Sequence, residues 1–228
     1  VLYIFSGLTL ITVLISLFAP AVGNFEKDLV AKGLSQAQTK MKLTRTNAEN
    51  SQATSFGVNK GVVILGDSVA LRSKDQIESS IDNVAIDAVV SRNLSTINDL
   101  LKDYADSNAL AKDVVIAGGV NEIDDYKGVI NKMIKNLPKG HHIIFVTPYN
   151  GSKSGSKAVS LVQLRKYELE MAKKYDFVTV ADWYQVAKEN ISIWNGTDGV
   201  HFGSDSDSIN RGAKLYTNTI KEAIAKAN

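Results

Sequence analysis

The chain of 228 residues is long enough for one medium-sized domain and an appended segment. Its formal net charge of +2 gives no indication of a nucleic-acid partner. The absence of cysteine excludes disulfides, thiolate metal ligands and a cysteine nucleophile, and it suits a protein exposed to an oxidising exterior.

The first 23 residues carry no charged side chain, and the run Leu2–Val22 is predominantly apolar on every face. As a helix this run would span roughly 32 Å, enough to cross a hydrocarbon core of about 30 Å. It therefore predicts a transmembrane helix at residues 1–23. A signal peptide cleaved at Ala19-Pro20-Ala21 is the second interpretation, and a buried core helix is the third. The polar residues 24–60 predict a linker that holds a domain away from the membrane.

From Gly61 onward, short runs rich in β-branched residues alternate with amphipathic stretches. The predicted strands are Val62–Leu65, Val84–Val90, Val114–Ala117, Ile143–Val146 and Phe177–Val180. The predicted helices are Leu94–Tyr104, Tyr126–Leu137, Val159–Lys174 and Asn210–Lys226. This alternation predicts an α/β domain over residues 61–228, in which helices cover both faces of a parallel sheet of about five strands.

Polar or glycine-containing segments follow each predicted strand. They are Gly66-Asp67-Ser68, Ser91-Arg92-Asn93, Gly118-Gly119-Val120-Asn121, Thr147-Pro148-Tyr149-Asn150 and Asp182-Trp183. In a parallel sheet, ligands bind beyond the carboxyl ends of the strands. The five segments are therefore expected to converge on one functional rim.

Ser68 directly follows the first strand, a position that suits an ordinary helix cap as well as a nucleophile. A serine nucleophile needs a base, and the chain contains three histidines. His141 and His142 precede a strand and are expected on the opposite edge of the sheet, which leaves His201. Asp198, three residues upstream, can orient that ring and stabilise its cationic form. The alternative is a surface loop with ordinary polar residues.

An acyl-transfer site also needs donors for the developing oxyanion. The candidates are the backbone N–H groups of Ser68 and Ser91 and the side-chain amide of Asn121. Gly118-Gly119, just before Asn121, are equally compatible with a simple tight turn. The sequence has no His, Asp or Glu grouping with metal-ligand spacing and no dinucleotide or Walker loop, so no metal or cofactor is predicted.

Three of these segments resemble the sequence blocks of the SGNH (GDSL) hydrolase superfamily. They are Gly66-Asp67-Ser68, Gly119-Val120-Asn121 and Asp198-Gly199-Val200-His201. The longer runs Val63–Leu71, Asp87–Arg92 and Ala181–Tyr184 resemble the C-terminal domain of Gram-positive peptidoglycan O-acetyltransferases of the OatA type. The resemblance covers roughly residues 60–228. It departs at Ser91, where the second block of the family usually has glycine.

The resemblance implies a flavodoxin-like, three-layer αβα sandwich that acts as a serine-dependent acetyltransferase. Ser68 would be the nucleophile, His201 its base and Asp198 the orienting acid. Ser68, Ser91 and Asn121 would form the oxyanion hole. We also expect Gly119, Tyr149 and Val200 to bind substrate.

The same resemblance implies that a membrane acyltransferase domain supplies the acetyl group, and that residues 1–23 are its last helix. The acceptor would be the C6 hydroxyl of N-acetylmuramic acid in peptidoglycan, which places a monomeric catalytic domain on the outer side of the cell membrane. One rival hypothesis is an SGNH esterase that deacylates a glycan or a lipid. The other is a non-catalytic wall-binding module on a membrane anchor.

Overall fold

The computed structural model of the chain describes residues 59–121, 124–152 and 155–227. The membrane helix predicted at residues 1–23 and nearly all of the predicted linker lie outside these ranges. Within the described ranges, no helix combines the length and the apolar character needed to cross a membrane.

The described residues form five strands, seven α-helices and one short 3-10 helix. In chain order they are β1 (Asn59–Gly66), α1 (Ser68–Arg72), α2 (Lys74–Ser80), β2 (Val84–Ala88), α3 (Leu94–Asp106), β3 (Ala111–Ala117), α4 (Tyr126–Asn136), β4 (His142–Val146), α5 (Gly155–Lys174), β5 (Val178–Ala181), α6 (Trp183–Glu189), the 3-10 helix (Ile191–Trp194) and α7 (Ser206–Ala227).

All five strands are parallel, and they lie in the order β2-β1-β3-β4-β5. The predicted parallel sheet is therefore confirmed. Gly66 at the end of β1 pairs with Ala88 on β2 and with Ala117 on β3, so these three strands end at the same level. The chain reverses its direction of travel across the sheet between β1 and β3, and this reversal opens a crevice beyond their carboxyl ends.

The strands are apolar on both faces because helices cover both. Val63 and Leu65 of β1 pack into one buried cluster with residues of α3, α4 and α5. Val62 and Ile64 point the other way, into a cluster with residues of α1, α2, α6 and α7. Truncating a fully buried residue such as Ile64 to alanine is expected to cost about 2–5 kcal/mol of stability.

The observed strand β2 is shorter than predicted, because it ends at Ala88 and not at Val90. The side chain of Val90 is 62% exposed. The chain turns there, and the N–H of Arg92 donates back to the carbonyl of Val89 at 3.4 Å. This turn carries Ser91 to the rim of the sheet.

Candidate active site

Ser68 lies at a sharp strand-to-helix junction. Gly66 ends β1, and a Cβ atom at this position would lie 2.6 Å from the Cβ of Ala70 and 3.2 Å from the carbonyl oxygen of Ala117. Asp67 caps α1 by accepting a hydrogen bond of 2.9 Å from the N–H of Val69. Because Asp67 takes the cap position, Ser68 is the first residue of the helix and its hydroxyl is available for other contacts.

The Ser68 hydroxyl contacts His201, the histidine predicted to act as its base. The distance from Ser68 Oγ to His201 Nε2 is 2.7 Å, and His201 Nδ1 lies 2.7 Å from Asp198 Oδ2. An ionised carboxylate can only accept, so Nδ1 carries the ring proton. Nε2 is then unprotonated and accepts the hydrogen bond that the Ser68 hydroxyl donates.

Asp198 is held in place by the loop that also carries the histidine. Its Oδ1 accepts the backbone N–H groups of Val200 at 2.9 Å and His201 at 2.8 Å. Partial burial acts to raise the pKa of the Asp198 carboxyl, but these N–H groups and the His201 ring outweigh it and hold that pKa at about 2. The carboxylate is therefore ionised at neutral pH, although its side chain is 57% exposed.

The other two histidines lie at the opposite, amino-terminal ends of the strands, as predicted. The His141 ring contacts the carbonyl of Ala111 at 2.7 Å, and the His142 ring contacts Asp113 at 3.3 Å. Ala111 and Asp113 belong to the start of β3. Neither ring is near the carboxyl ends of the strands, and His201 is the histidine that the fold brings to Ser68.

Ser91 has a left-handed backbone, with φ of +61°. Glycine adopts this conformation without steric cost, whereas another residue pays about 1–2 kcal/mol. The resemblance already associates this position with glycine, and the observed φ gives a physical reason for that preference. The side chain of Asn121 lies in the same region, since its Nδ2 donates to the carbonyl of Arg92 at 3.3 Å.

Arg92 joins the carboxyl ends of β1 and β2 to the segment that follows β3, a role that the sequence did not reveal. Its guanidinium donates to the carbonyl of Gly66 at 3.2 Å, to the carbonyl of Asp87 at 2.7 Å and to Asp87 Oδ1 at 2.9 Å. The side chains of Arg92 and Asp87 are only 7% and 1% exposed. Because its own carbonyl accepts from Asn121, this buried ion pair links the end of β1 to the candidate oxyanion donor on the loop after β3.

A second unpredicted arginine, Arg72, ends the helix that begins with Ser68. Its Nε and Nη2 donate to the carbonyls of Phe202 and Gly203, each at 2.7 Å. The only sequence signal is that Arg72 follows Ser68 by four residues, which places both on one face of a helix.

Three further residues were predicted to bind substrate. Gly119 has φ of +109°, and a Cβ atom there would lie 2.8 Å from the Leu164 side chain. Tyr149 packs against Tyr184 and Trp194, with ring centroids 5.5 Å and 5.0 Å apart. The fold places Tyr149 beside the loop of residues 198–203, which carries Asp198 and His201, because the N–H of Gly151 donates to the carbonyl of Gly199 at 2.8 Å. Val200 lies within that loop.

A small cavity opens behind the Ser68 junction. Its lining includes Asp67, Gly118, Val120, Tyr149 and Tyr216. Asp67 is 1% exposed, and burial raises the pKa of its carboxyl to about 6, against the opposing effects of the Val69 N–H and of the nearby His201 and Arg92. Burial also raises the pKa of the Tyr216 hydroxyl well above its usual value. Below about pH 6 both the Asp67 carboxyl and the Tyr216 hydroxyl are therefore protonated, and neither brings a charge to the wall of the cavity.

The chain is similar to several known proteins. Over 75% of its length it superimposes on 96% of the C-terminal catalytic domain of Streptococcus pneumoniae peptidoglycan O-acetyltransferase A (OatA), solved with a methylsulfonyl adduct, with 44% sequence identity and a TM-score of 0.73. A member of the lipolytic G-D-S-L family from Veillonella parvula covers 72% of the chain, and 97% of its own, with 15% identity and a TM-score of 0.57, which shows a shared fold.

Among curated proteins, the chain is 28% identical over 165 residues to the putative peptidoglycan O-acetyltransferase YrhL of Bacillus subtilis. This match covers 72% of the chain but 24% of the relative, so the chain spans about a quarter of that protein. The sequence matches no protein-family model.

Proposed function

This chain belongs to the SGNH-fold family that includes the OatA C-terminal catalytic domain, and we propose that it moves an acetyl group through an acetyl-Ser68 intermediate. The acceptor in this proposal is the C6 hydroxyl of N-acetylmuramic acid in peptidoglycan. The observation that carries the proposal is the line of two 2.7 Å contacts from Asp198 through His201 to Ser68. Such a line activates a serine hydroxyl as a nucleophile.

In the first half-reaction, Ser68 Oγ attacks the carbonyl carbon of the acetyl donor as its proton passes to His201 Nε2. The imidazolium that forms is stabilised by the Asp198 carboxylate at its other nitrogen. The tetrahedral intermediate collapses when the bond to the donor oxygen breaks, and His201 gives its proton to that leaving oxygen. The products are acetyl-Ser68 and the free donor alcohol.

In the second half-reaction, the acceptor hydroxyl occupies the place of the departed alcohol. It loses its proton to His201 Nε2 as its oxygen attacks the acetyl carbon. The new tetrahedral intermediate expels Ser68 Oγ, which recovers the proton from His201. The net result is an exchange of one ester for another, and no cofactor is consumed.

Both intermediates carry a negative oxygen that needs preorganised donors. We assign this role to the backbone N–H groups of Ser68 and Ser91 and to the side-chain amide of Asn121. Two features support the assignment. Ser68 opens a helix, where backbone N–H groups point outward without helical partners. The amide of Asn121 is held by the carbonyl of Arg92 through one of its two hydrogens, and the second hydrogen is assigned to the oxyanion.

The proposed function also needs a surface that binds the acceptor and a segment that anchors the domain. Gly119, Tyr149 and Val200 are assigned to the substrate-binding surface beside the Ser68 hydroxyl. The apolar run of residues 1–23 is proposed as a membrane helix, residues 24–60 as a linker, and residues 61–228 as the extracytoplasmic catalytic domain. The acetyl donor would then come from a membrane acyltransferase domain.

The test is a transfer assay with the full chain, an activated acetyl ester and muramic-acid-containing glycan oligomers. Mass spectrometry should detect oligomers that have gained acetyl groups at the C6 position of muramic acid, and Ser68→Ala should abolish this product. If the ester is consumed while the oligomers gain no acetyl, water is the acceptor and the chain is an esterase. Unchanged ester turnover by Ser68→Ala would overturn the catalytic assignment itself.

A further inference from the structure

Arg72 joins the nucleophile helix to the loop that carries the base. It is the last residue of α1, and it donates from Nε to the carbonyl of Phe202 and from Nη2 to the carbonyl of Gly203, each at 2.7 Å. The guanidinium carbon also lies 5.9 Å from the centre of the Phe202 ring. The contacts span about 130 residues of sequence and reach the two residues that directly follow His201.

Two contacts therefore connect α1 to the base loop in matching order. Ser68 and Arg72 lie four residues apart on one face of the helix, and His201 and the carbonyls of Phe202 and Gly203 follow one another along the loop. The contact between Ser68 and His201 joins the helix to the loop at one point, and the carbonyl contacts of Arg72 add a second point on the next two residues of the loop. The two points lie one helical turn apart on α1.

The loop itself lacks another tie to α1 among the hydrogen bonds of the described residues. Asp198 holds the loop internally, through the N–H groups of Val200 and His201. Other bonds attach it elsewhere, from Gly151 to Gly199 and from Gly203 to the 3-10 helix at Ile193. These bonds hold the loop to the rest of the domain, whereas the Arg72 hydrogen bonds tie it directly to the helix that carries Ser68.

The fork of an arginine suits this task, because its planar N–H groups reach two neighbouring acceptors at once. A lysine at the same position donates its three N–H groups from one atom, so it cannot match the two separated directions of the guanidinium fork. We propose that Arg72 is a positioning residue for the general base, holding the loop of residues 198–203 so that His201 Nε2 stays within hydrogen-bond reach of Ser68 Oγ. The inference rests on the proposed function, since it presumes that Ser68 and His201 perform the chemistry.

The test is Arg72→Gln in the full chain, with formation of the acyl-enzyme from an activated acetyl ester as the readout. This step needs no glycan acceptor. We expect the acylation rate to fall about 10- to 100-fold, the scale of loss when reacting groups are displaced by about an ångström. KM for the ester should stay within about twofold, because Arg72 is not placed at the substrate. Inactivation of Ser68 by a sulfonyl fluoride should slow by a similar factor.

Arg165→Gln is the matched control. Arg165 also donates two short hydrogen bonds, of 2.7 Å and 2.6 Å, to Asp182, and its guanidinium also lies over an aromatic ring, that of Tyr184 at 5.3 Å. We expect Arg165→Gln to lower the melting temperature but to keep the acylation rate well below that temperature. A native acylation rate in folded Arg72→Gln would overturn the inference, and so would an equal loss of rate in both variants.

Arg72→Lys provides a second measurement if Arg72→Gln does not fold. It keeps the charge and the apolar stem, and its acylation rate should fall about 3- to 10-fold, because one ammonium nitrogen cannot hold both carbonyls where Nε and Nη2 hold them. A native rate in this variant would also contradict the inference. Ser68→Ala, assayed in parallel, separates the two levels of failure. If Ser68→Ala retains turnover, the proposed function fails; if it is inactive while Arg72→Gln and Arg72→Lys react normally, only the role of Arg72 fails.

Discussion

Replacing Asp198 by asparagine should remove catalysis while leaving the loop intact. In the present structure Asp198 Oδ1 accepts two backbone N–H groups and Oδ2 accepts the ring N–H of His201. The asparagine oxygen can keep both backbone hydrogen bonds, so its NH₂ group must then face the ring. A donor facing Nδ1 favours the tautomer in which Nδ1 is bare and Nε2 carries the proton. Nε2 can then no longer accept the proton of Ser68.

The size of the effect follows from this change of tautomer. In a serine protease the corresponding substitution lowers kcat about 10⁴-fold. The Asp198 side chain is 57% exposed, so solvent weakens its contribution here, and we expect a loss of roughly 10³-fold. That factor corresponds to about 4 kcal/mol in the activation free energy. The free energy of unfolding should change by less than about 1 kcal/mol, because the two backbone hydrogen bonds persist.

The assay is steady-state hydrolysis of an activated acetyl ester at neutral pH, combined with urea unfolding. Asp205→Asn serves as the control, because Asp205 is likewise an exposed carboxylate that accepts a backbone N–H, from Ser208 at 2.9 Å, but it lies outside the Ser68 site. Its kcat should equal that of the native chain. The role of Asp198 in setting the His201 tautomer is refuted if Asp198→Asn retains kcat within about threefold, or if Asp205→Asn loses as much activity.

Four further predictions concern the rim. Ser91→Gly should keep the acylation rate within about threefold, because glycine retains the backbone N–H. The free energy of unfolding should stay unchanged or rise by up to about 1 kcal/mol, because glycine relieves the left-handed φ. A fall of more than tenfold in the acylation rate would contradict this role of the N–H. Asn121→Ala should lower kcat about 10²- to 10³-fold in the ester assay with KM nearly constant. An unchanged kcat would show that the Asn121 amide does not stabilise the oxyanion. Arg92→Met should destabilise the fold by about 3–5 kcal/mol in urea unfolding, because buried Asp87 loses its charged partner and keeps the neutral Tyr104 hydroxyl at 3.2 Å. A loss smaller than about 1 kcal/mol would argue against that ion pair. The pKa of Asp67 is raised to about 6 in the fold, so the contribution of this carboxyl to stability should be lost as pH rises from about 4 through 6. Asp67→Asn should remove this contribution from the measured pH dependence, and an equal slope in both chains would disprove it.

The sheet could be predicted from the sequence because its strands are continuous apolar runs buried on both faces. The runs Val62–Leu65 and Ile143–Val146 lie within β1 and β4. The helices α1, α2 and α6 were missed because they are five to seven residues long. So few residues do not complete an amphipathic repeat. The end of β2 was misplaced because Val89 and Val90 extend the apolar run into an exposed turn.

The residues proposed to react could be paired from the sequence because topology limited the candidates. Ser68 lies two residues beyond the end of β1, and the position of His141 and His142 at the start of β4 left His201 as the predicted base. The supporting contacts could not be predicted, because they join distant segments through backbone carbonyls. Nothing local to Arg72 indicates that its partners are the carbonyls of Phe202 and Gly203. The left-handed backbone of Ser91 is likewise set by the fold, since a serine carries no intrinsic preference for it.

In the proposed reaction, an acetyl group resides on Ser68 and leaves to a glycan hydroxyl. Mass spectrometry of the full chain after a brief exposure to an activated acetyl ester measures this directly, with peptide mapping to locate the adduct. We expect a single acetyl group on the peptide that contains Ser68, and its loss should accelerate when muramic-acid-containing oligomers are added and gain that acetyl. An adduct on a different residue, or the absence of any adduct while the ester turns over, would rule out the acetyl-Ser68 mechanism.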